Sequence, residues 1–524
     1  MKDRIKNFFK DNNRIYFLLL ILFSTALLLY RIDKRAFWMD EGAVVEYMYL
    51  TPNPFNFLIS YFSVPDNHPP LYYFLVIALY KVLPLKEAGI RLISVLSGLG
   101  IVATVYYFSL LLFKNKTLAR MAIFLISISS YFVLISQMAR YHSLSALLAL
   151  LSLYYFAKLV MEDYSKKTFN LCLLFSFLTA YADLPHFVYI IGLFNIFYFF
   201  NYFRKKPFVE LAVWIKGQVI LLLLYLPVVW LFYLRVFKQG DGGFEKISLL
   251  GRTFLNWAAD FMMYFYAYFF GENILPWNLP AFIAGSAVSV FLIIFLIKVI
   301  RRKSPDLRSL FFLIYLFLGA IVLNTVFMNY ADPRYNFIVY PKFVFVAFPL
   351  FIMLVSYLIW SCENFWLRRV VFVIFVAVQI FGLNNFYQSK NYLNASYFND
   401  FSAFKFVQDN SRPGDILITS GDLNIGVYDF YKKTYFNKLS PVSFLDPNAV
   451  EIKKGVRYWF FATGSDGDSG SGSASAESKI PEGFNIIGKY ESVPIDPVLK
   501  KFKEKILHRE SYLYKYGVYL LERN

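Results

Sequence analysis

The sequence predicts a multi-span α-helical membrane protein with a soluble α/β domain in its C-terminal part. Three observations predict it. Of 524 residues, 58% are apolar and only 17% charged, against roughly 45–50% and about 25% in soluble chains. Apolar stretches of about 20 residues, enough to cross a bilayer, recur up to residue 385. From residue 386 onward charges of both signs mix, and Gly, Pro, Asn and Asp appear at turn spacing. The net charge of +18 alone would suit a nucleic-acid binder, but a soluble one could not carry this much Leu, Ile and Phe on its surface. The same apolar content excludes a disordered chain. Two cysteines and four histidines give neither a disulfide framework nor metal-ligand spacing.

Eleven spans are read at 15–31, 91–113, 118–136, 143–160, 169–182, 186–203, 211–234, 279–300, 308–328, 337–360 and 368–385. Stretches 70–84 and 254–270 are ambiguous and would raise the number to 13. The Lys/Arg bias decides between these counts. MKDRIKNFFKDNNR opens the chain, and no small-residue cleavage site follows the apolar run, so a retained, cytoplasmic N-terminus is expected. With 70–84 and 254–270 lying along the outer face, the clusters FKNKTLAR (113–120), KLVMEDYSKK (158–167), RKK (204–206), KVIRRKSPDLR (298–308) and LRR (367–369) all face the cytoplasm. The opposite short loops then hold only Arg140 and Arg334 as cations. The setting is a plasma (inner) membrane, with the C-terminal domain extracytoplasmic.

The expected division is a membrane domain over 1–385, with a first outer loop over 32–90, and an outer α/β domain over 386–524. In the latter, FNDFSAFKFVQDN (398–410) has helical periodicity, RPGD (412–415) is a turn, and DILITS (415–420) reads as a buried strand. NIGVYDFYKK (424–433) reads as a helix, VRYWFFAT (456–463) as a strand, and YLYKYGVYLLE (512–522) as one or two more. The Gly/Ser run 464–478 cannot pack and reads as a flexible loop.

Polar residues beside a membrane are costly and ask for a reason. Asp40 and Glu41 follow Trp38 within a few residues of a membrane exit. They are either a solvated pair opening a helix over 42–50 or a general base whose pKa is raised near a low-dielectric surface. His68 precedes Pro69 and Pro70 at the head of an apolar helix, in a structural or a chemical role. Arg140 in SQMARYHS (136–143) is either a snorkelling anchor or a phosphate ligand. Asp183 and His186 lie in YADLPH (181–186), and Arg334 in NYADPRY (329–335). An acidic pair, two arginines, a histidine and many aromatics therefore gather on one face. No Walker motif is present, nor the Gly-broken inverted repeats of a secondary transporter. The set suits a reaction between a lipid-anchored phosphate compound and an acceptor at the interface.

WMDE (38–41), HPPLYY (68–73), RLISVLSG (91–98) and ARY (139–141) together resemble the GT-C glycosyltransferases, in the branch of protein O-mannosyltransferases and bacterial aminoarabinose and lipopolysaccharide-sugar transferases. DPRY (332–335), with Pro341 beyond it, resembles that family's late outer loop. The resemblance is strongest in the N-terminal third. It implies a polyprenyl-phosphate sugar donor, inverting transfer and no nucleotide sugar. It assigns Asp40 as base or acceptor-orienting group, with Glu41 adjacent. Arg140 and Arg334, with Tyr141 and Tyr335 beside them, would bind the donor phosphate and lipid, and His68 matches the loop histidine. Asp183 and His186 find no counterpart and are carried as supporting residues. The C-terminal domain would assist with the acceptor.

The function expected is transfer of a sugar from a polyprenyl-phosphate donor to an acceptor hydroxyl of a glycan, lipid or protein at the outer membrane face. A lipid-linked glycan flippase or exporter would carry its charges within the spans. A polymerase or ligase of undecaprenyl-diphosphate glycans would share the topology but is less favoured by the first-loop acids and HPP. No cofactor is certain: a divalent metal is compatible with the residues but not indicated, and no nucleic-acid partner is expected.

Overall fold

The computed structural model describes residues 12–37, 39–51, 53–63, 69–83, 86–238, 254–275, 277–302, 306–331, 341–388, 399–419, 430–431, 434, 455–464, 480, 482–491, 498, 501 and 515–523. They form two compact units. One takes in 1–30, 58–75 and 92–388; the other takes in 31–57, 76–91 and 389–524.

The helices in chain order are α1 (Asn12–Leu29), α2 (Met39–Leu50), α3 (Pro54–Ser63), α4 (Leu71–Val82), α5 (Glu87–Ile90), α6 (Leu92–Phe113), α7 (Lys116–Ile128) and α8 (Ser130–Ser136). They continue as α9 (His142–Met161), α10 (Lys166–Ala182), α11 (Leu184–Phe203), α12 (Leu211–Lys238), α13 (Phe254–Phe270), α14 (Leu279–Arg301), α15 (Leu307–Ala331), α16 (Ala347–Trp360), α17 (Phe365–Tyr387) and α18 (Phe401–Asn410). Among the described residues seven helices are long and apolar enough to cross a membrane, or eight if α7 and α8 form one span bent by 67°. Three expected spans have shorter helices. Segment 169–182 belongs to α10, of 17 residues, and 15–31 to α1, of 18. Among the described residues of 337–360 only α16 is α-helical, at 14 residues, because Pro341–Val344 winds as a 3₁₀ turn ahead of it. At about 1.5 Å per residue, α16 is roughly 21 Å long. The stretch 70–84 holds only the 12 residues of α4, which is too short to span about 30 Å of hydrocarbon.

Within the first unit α9 packs along both α6 and α10, α11 along α15, and α7 against α1 and α16. Small and hydroxylic residues let the helices approach. A Cβ on Gly98 of α6 would meet Ser136 Oγ of α8 at 2.7 Å. Ser152 and Ser176 hydroxyls meet at 2.6 Å between α9 and α10, and Ser24 meets Ser127 at 2.5 Å between α1 and α7. With no water between lipid tails to compete, such hydroxyl pairs hold helices together.

The end of α13 is irregular and stitched by amides. Gly271 has φ +65°, and a Cβ there would strike Ser130 Oγ. Glu272 follows at φ +46°. Asn273 then donates to the Gly382 carbonyl (2.7 Å), accepts from Ser130 Oγ (3.0 Å), and offers its carbonyl to Asn385 Nδ2 (3.0 Å). Gln379 donates to the Phe269 carbonyl at 2.7 Å. Non-helical backbone is tolerated between apolar helices when other groups satisfy it in this way.

The second unit holds a four-stranded mixed sheet. Its strands are β3 (Ile416–Thr419), β4 (Arg457–Gly464), β5 (Phe484–Glu491) and β6 (Lys515–Arg523), in the order β3-β4-β6-β5. β3 pairs parallel to β4, and the other pairs are antiparallel. Ile418, Tyr458, Phe460, Tyr519 and Leu521 form its buried apolar cluster. The RPGD turn closes through the Asp415 amide on the Arg412 carbonyl (3.1 Å), with Gly414 at φ +94°. Of the helix expected at 424–433, only Phe430 and Tyr431 are described, and the Gly/Ser run beyond Gly464 lies outside the described residues. A second, two-stranded ladder joins β1 (Arg35–Ala36) antiparallel to β2 (Asn399–Asp400).

Candidate functional site

The described site residues fall into three groups: Glu41 in the second unit, and Arg140 with Tyr141, and Asp183 with His186, in the first. In the second unit, α2 starts at Met39, three residues ahead of the expected 42–50. Asp40 and Glu41 therefore stand in its first turn, where acids suit the helix dipole. The Asp40 side chain and all of Trp38 lie outside the described residues. Glu41 is only 2% exposed, so it is not a solvated acid. Arg91 grips it with one edge of the guanidinium: Nε donates to Oε1 at 3.0 Å and Nη2 to Oε2 at 2.8 Å. Nη1 of Arg91 donates to the carbonyls of Ile32 (2.6 Å) and Arg35 (2.9 Å). The guanidinium also lies over the Phe37 ring, 5.1 Å from its centroid. Arg91 thus ties α2 to the chain that leads into it.

The same cluster reaches the C-terminal part of the chain. The Phe37 amide donates to the Tyr431 hydroxyl at 2.9 Å, and Tyr431 stacks on Phe404 at 4.0 Å. Burial pushes the Tyr431 phenol well above its ordinary pKa, so it stays protonated there.

In the first unit, Arg140 sits in the turn between α8 and α9. It is 4% exposed, too buried for a snorkelling anchor reaching outward through lipid. Its Nη1 donates to the Tyr73 hydroxyl at 3.2 Å. Its carbonyl accepts from Ser94 Oγ at 3.1 Å, and Ser94 meets the Tyr72 hydroxyl at 2.8 Å. The two tyrosines of HPPLYY therefore fix Arg140 from both sides, side chain and backbone. Tyr141 lies under the guanidinium at 5.3 Å and packs on His142 at 4.4 Å. His142 meets the edge of Phe343 (5.6 Å), over which Lys342 lies at 5.3 Å. Lys342 is 5% exposed. A guanidinium and an ammonium buried among rings are suited to an anion.

Asp183 and His186 come together at the junction of α10 and α11. Asp183 is the residue before α11, and Pro185 starts its first turn. Asp183 Oδ2 lies 2.6 Å from His186 Nδ1, and Ser145 Oγ of α9 lies 2.9 Å from the same nitrogen. Both side chains are buried, and His186 Nε2 has no partner among the described residues. The arrangement pins α11 to α9. His68, Arg334 and Tyr335 lie outside the described residues. Among the described residues no three His, Cys, Asp or Glu are grouped to hold a metal ion.

Sequence reasoning missed Arg91, Tyr73, Lys342 and His142 as members of these clusters. Arg91 and Tyr73 stood inside quoted motifs but were not singled out. Lys342 did carry a signal: it is a lone ammonium at the head of the apolar run FVFVAFPLF, which is costly in a span without a role.

No protein-family model matches the sequence, and no curated protein is significantly similar to it. Solved structures are similar in fold. ArnT from Cupriavidus metallidurans bound to undecaprenyl phosphate superposes with a TM-score of 0.53 at 11% identity, over 96% of this chain and 97% of that one. ArnT in the apo state gives 0.51 at 12% identity, over 85% and 92%. The apo oligosaccharyltransferase of Archaeoglobus fulgidus gives 0.46 at 12% identity, over 82% and 64%. The fold of this chain is therefore that of ArnT, and among the described residues it includes seven or eight helices long and apolar enough to cross a membrane.

Proposed function

We propose that the protein is an inverting membrane glycosyltransferase, moving a sugar from a polyprenyl-phosphate donor to an acceptor hydroxyl on the extracytoplasmic face. Eleven spans, a cytoplasmic N-terminus and an outer α/β domain over 386–524 complete the reading, and the Lys/Arg bias supports them. The observation that carries it is Arg140, a buried guanidinium fixed by Tyr73 of HPPLYY, with its carbonyl held by Ser94, which Tyr72 of the same motif meets. ArnT, whose fold this chain shares, binds undecaprenyl phosphate. In this reading Arg140 and Arg334, with Tyr141 and Tyr335 flanking, meet the donor phosphate, and His68 shapes the first loop. Asp183 and His186 hold α11 in place.

Asp40 takes the proton of the acceptor hydroxyl as its oxygen attacks C1 of the sugar. The bond from C1 to the phosphate oxygen breaks, the configuration inverts, and the polyprenyl phosphate leaves as an anion stabilised by arginine. A phosphate is already a good leaving group, so catalysis rests on charge neutralisation and orientation. Glu41 positions α2 through Arg91 and does not itself take the proton. The test is transfer from a polyprenyl-phosphate sugar by the purified full chain in nanodiscs. Asp40→Asn should abolish transfer with normal expression and insertion, and full activity in that variant would remove Asp40 as base. Arg140→Ala should raise the donor concentration needed by about 100-fold, the worth of one charge-assisted hydrogen bond pair; unchanged donor dependence would remove it from the phosphate site.

A further inference from the structure

The turn that carries Arg140 closes on the carbonyl end of another helix. α1 ends at Leu29, and the last carbonyls of a helix have no partner within it. Here side chains from other helices answer them. Gln137 Nε2 donates to the Leu28 carbonyl at 2.8 Å and to the Tyr30 carbonyl at 3.1 Å. The Tyr387 hydroxyl of α17 donates to the Leu27 carbonyl. Gln137 is buried and caps the end of α8.

Gln137 stands three residues before Arg140, and one short turn holds both. The Arg140 amide donates to the Met138 carbonyl at 2.8 Å. Ser143 Oγ, in the first turn of α9, donates to the Ile135 carbonyl of α8 at 3.1 Å. Ser94 of α6 holds the Arg140 carbonyl. Four residues on, a Cβ on Gly98 would meet both Ser136 Oγ at 2.7 Å and Leu28 Cδ1 at 3.3 Å. The ends of α1 and α8 therefore meet against α6, and the carbonyl end of α1 is fixed beside the Arg140 turn. That end of a helix carries about half a negative charge. Bare carbonyls there would oppose an anion held by Arg140. The Gln137 amide turns both N–H groups of one nitrogen onto them and adds no charge.

We propose that Gln137 is a positioning residue for the donor phosphate: it ties the Arg140 turn to α1 and masks the carbonyl end of α1 from the anion. The inference rests on the reading that Arg140 meets that phosphate. Gln137 acts through Arg140 and the α1 carbonyls, not by touching the lipid.

The test is binding of undecaprenyl phosphate, titrated against the purified full chain in mild detergent and read by native mass spectrometry. Gln137→Met keeps the length and removes both donors, and should weaken binding about three- to tenfold. Gln137→Glu puts a carboxylate against the carbonyls and should weaken it by more than about tenfold. Gln137→Lys supplies donors to both carbonyls together with a cation, and should bind at least as tightly as wild type. A role in packing alone predicts the reverse, with the buried lysine charge more damaging than methionine. Gln137→Met is neutral and of matching length, so it decides the matter even where the charged variants do not fold. Wild-type affinity in Gln137→Met would overturn the proposal, as would weaker binding by Gln137→Lys than by Gln137→Met. Arg140→Ala is measured beside them. If wild type takes up no undecaprenyl phosphate, or Arg140→Ala binds it unchanged, the phosphate site itself falls and this inference with it. If Arg140→Ala is weakened and the Gln137 variants are not, only the part given to Gln137 falls.

Discussion

Both nitrogens of one edge of Arg91 meet both oxygens of Glu41, at 3.0 and 2.8 Å, with each side chain at most 2% exposed. Adjacent acids in the sequence therefore have different work. Glu41 is committed to a buried, bidentate pair that anchors α2 to residues 32–35, which leaves Asp40 as the acid for chemistry in the proposed reaction.

Glu41→Gln should accordingly act on stability. Removing one partner of a buried pair costs about 3–5 kcal/mol, because the other charge is left unanswered. The thermal unfolding midpoint and the yield of folded protein should fall. Transfer per folded molecule should fall far less than in Asp40→Asn. Arg91→Lys should be nearly as damaging as Glu41→Gln, since an ammonium cannot reproduce the bidentate contact or the carbonyl contacts of Nη1.

Tyr73→Phe removes the hydroxyl that accepts from Arg140. One such bond is worth about 1.5 kcal/mol when a charge takes part, which corresponds to roughly a tenfold change. The expected result is a raised donor KM with little change in kcat, measured by steady-state transfer at varied donor. Tyr72→Phe touches Arg140 only through Ser94 and should show a smaller shift.

Asp183→Asn leaves His186 facing a neutral amide inside the bundle, and His186→Ala removes the ring altogether. Both should destabilise the fold by about 2–4 kcal/mol for loss of a buried contact, read as a lower unfolding midpoint. Donor KM should stay close to that of wild type. A shift in KM as large as that of Tyr73→Phe would give the pair a part in donor binding.

In the sheet domain, Asp415 predicts an acid sensitivity. Burial pushes its carboxyl up, but hydrogen bonds from the Arg457 side chain, the Arg412 amide and the Trp459 indole outweigh this. Together they hold it below the ordinary carboxylate value. Protons therefore bind the unfolded chain more readily than the folded one. The stabilisation is present above about pH 4, the unfolded carboxylate value, and is lost as pH falls through the lower folded value. Asp415→Asn should lower the unfolding midpoint at pH 7 and flatten its decline below pH 4, read by near-ultraviolet circular dichroism across a pH series.

The long apolar helices were legible because a run of about 20 apolar residues has few other uses. The turn RPGD and the strands around Ile416 and Arg457 were legible from punctuation and β-branched or aromatic runs. Asp183 and His186 sit three apart at a helix start, a spacing that already puts two side chains on one face. Other features left no local trace. Arg91 answers Glu41 from 50 residues away, and no periodicity links them. The β1–β2 ladder has two residues on each side, too few for an alternating pattern. The 3₁₀ turn at Pro341–Val344 shortened an apolar run that hydropathy alone reads as continuous helix.

That small ladder bears on the order in which the chain matures. Arg35 pairs with Asp400, and the Phe37 amide finds its acceptor on Tyr431, 394 residues later. A ribosome must deliver nearly the whole membrane portion before either partner exists. The segment carrying WMDE is made early and finished late, and closing so large a loop is slow and entropically costly. Until residues 399–431 emerge, the Phe37 amide has no phenol to meet. A chain truncated before Asn399 would therefore leave this early segment without its clasp, so premature termination would cost the protein its beginning as well as its end.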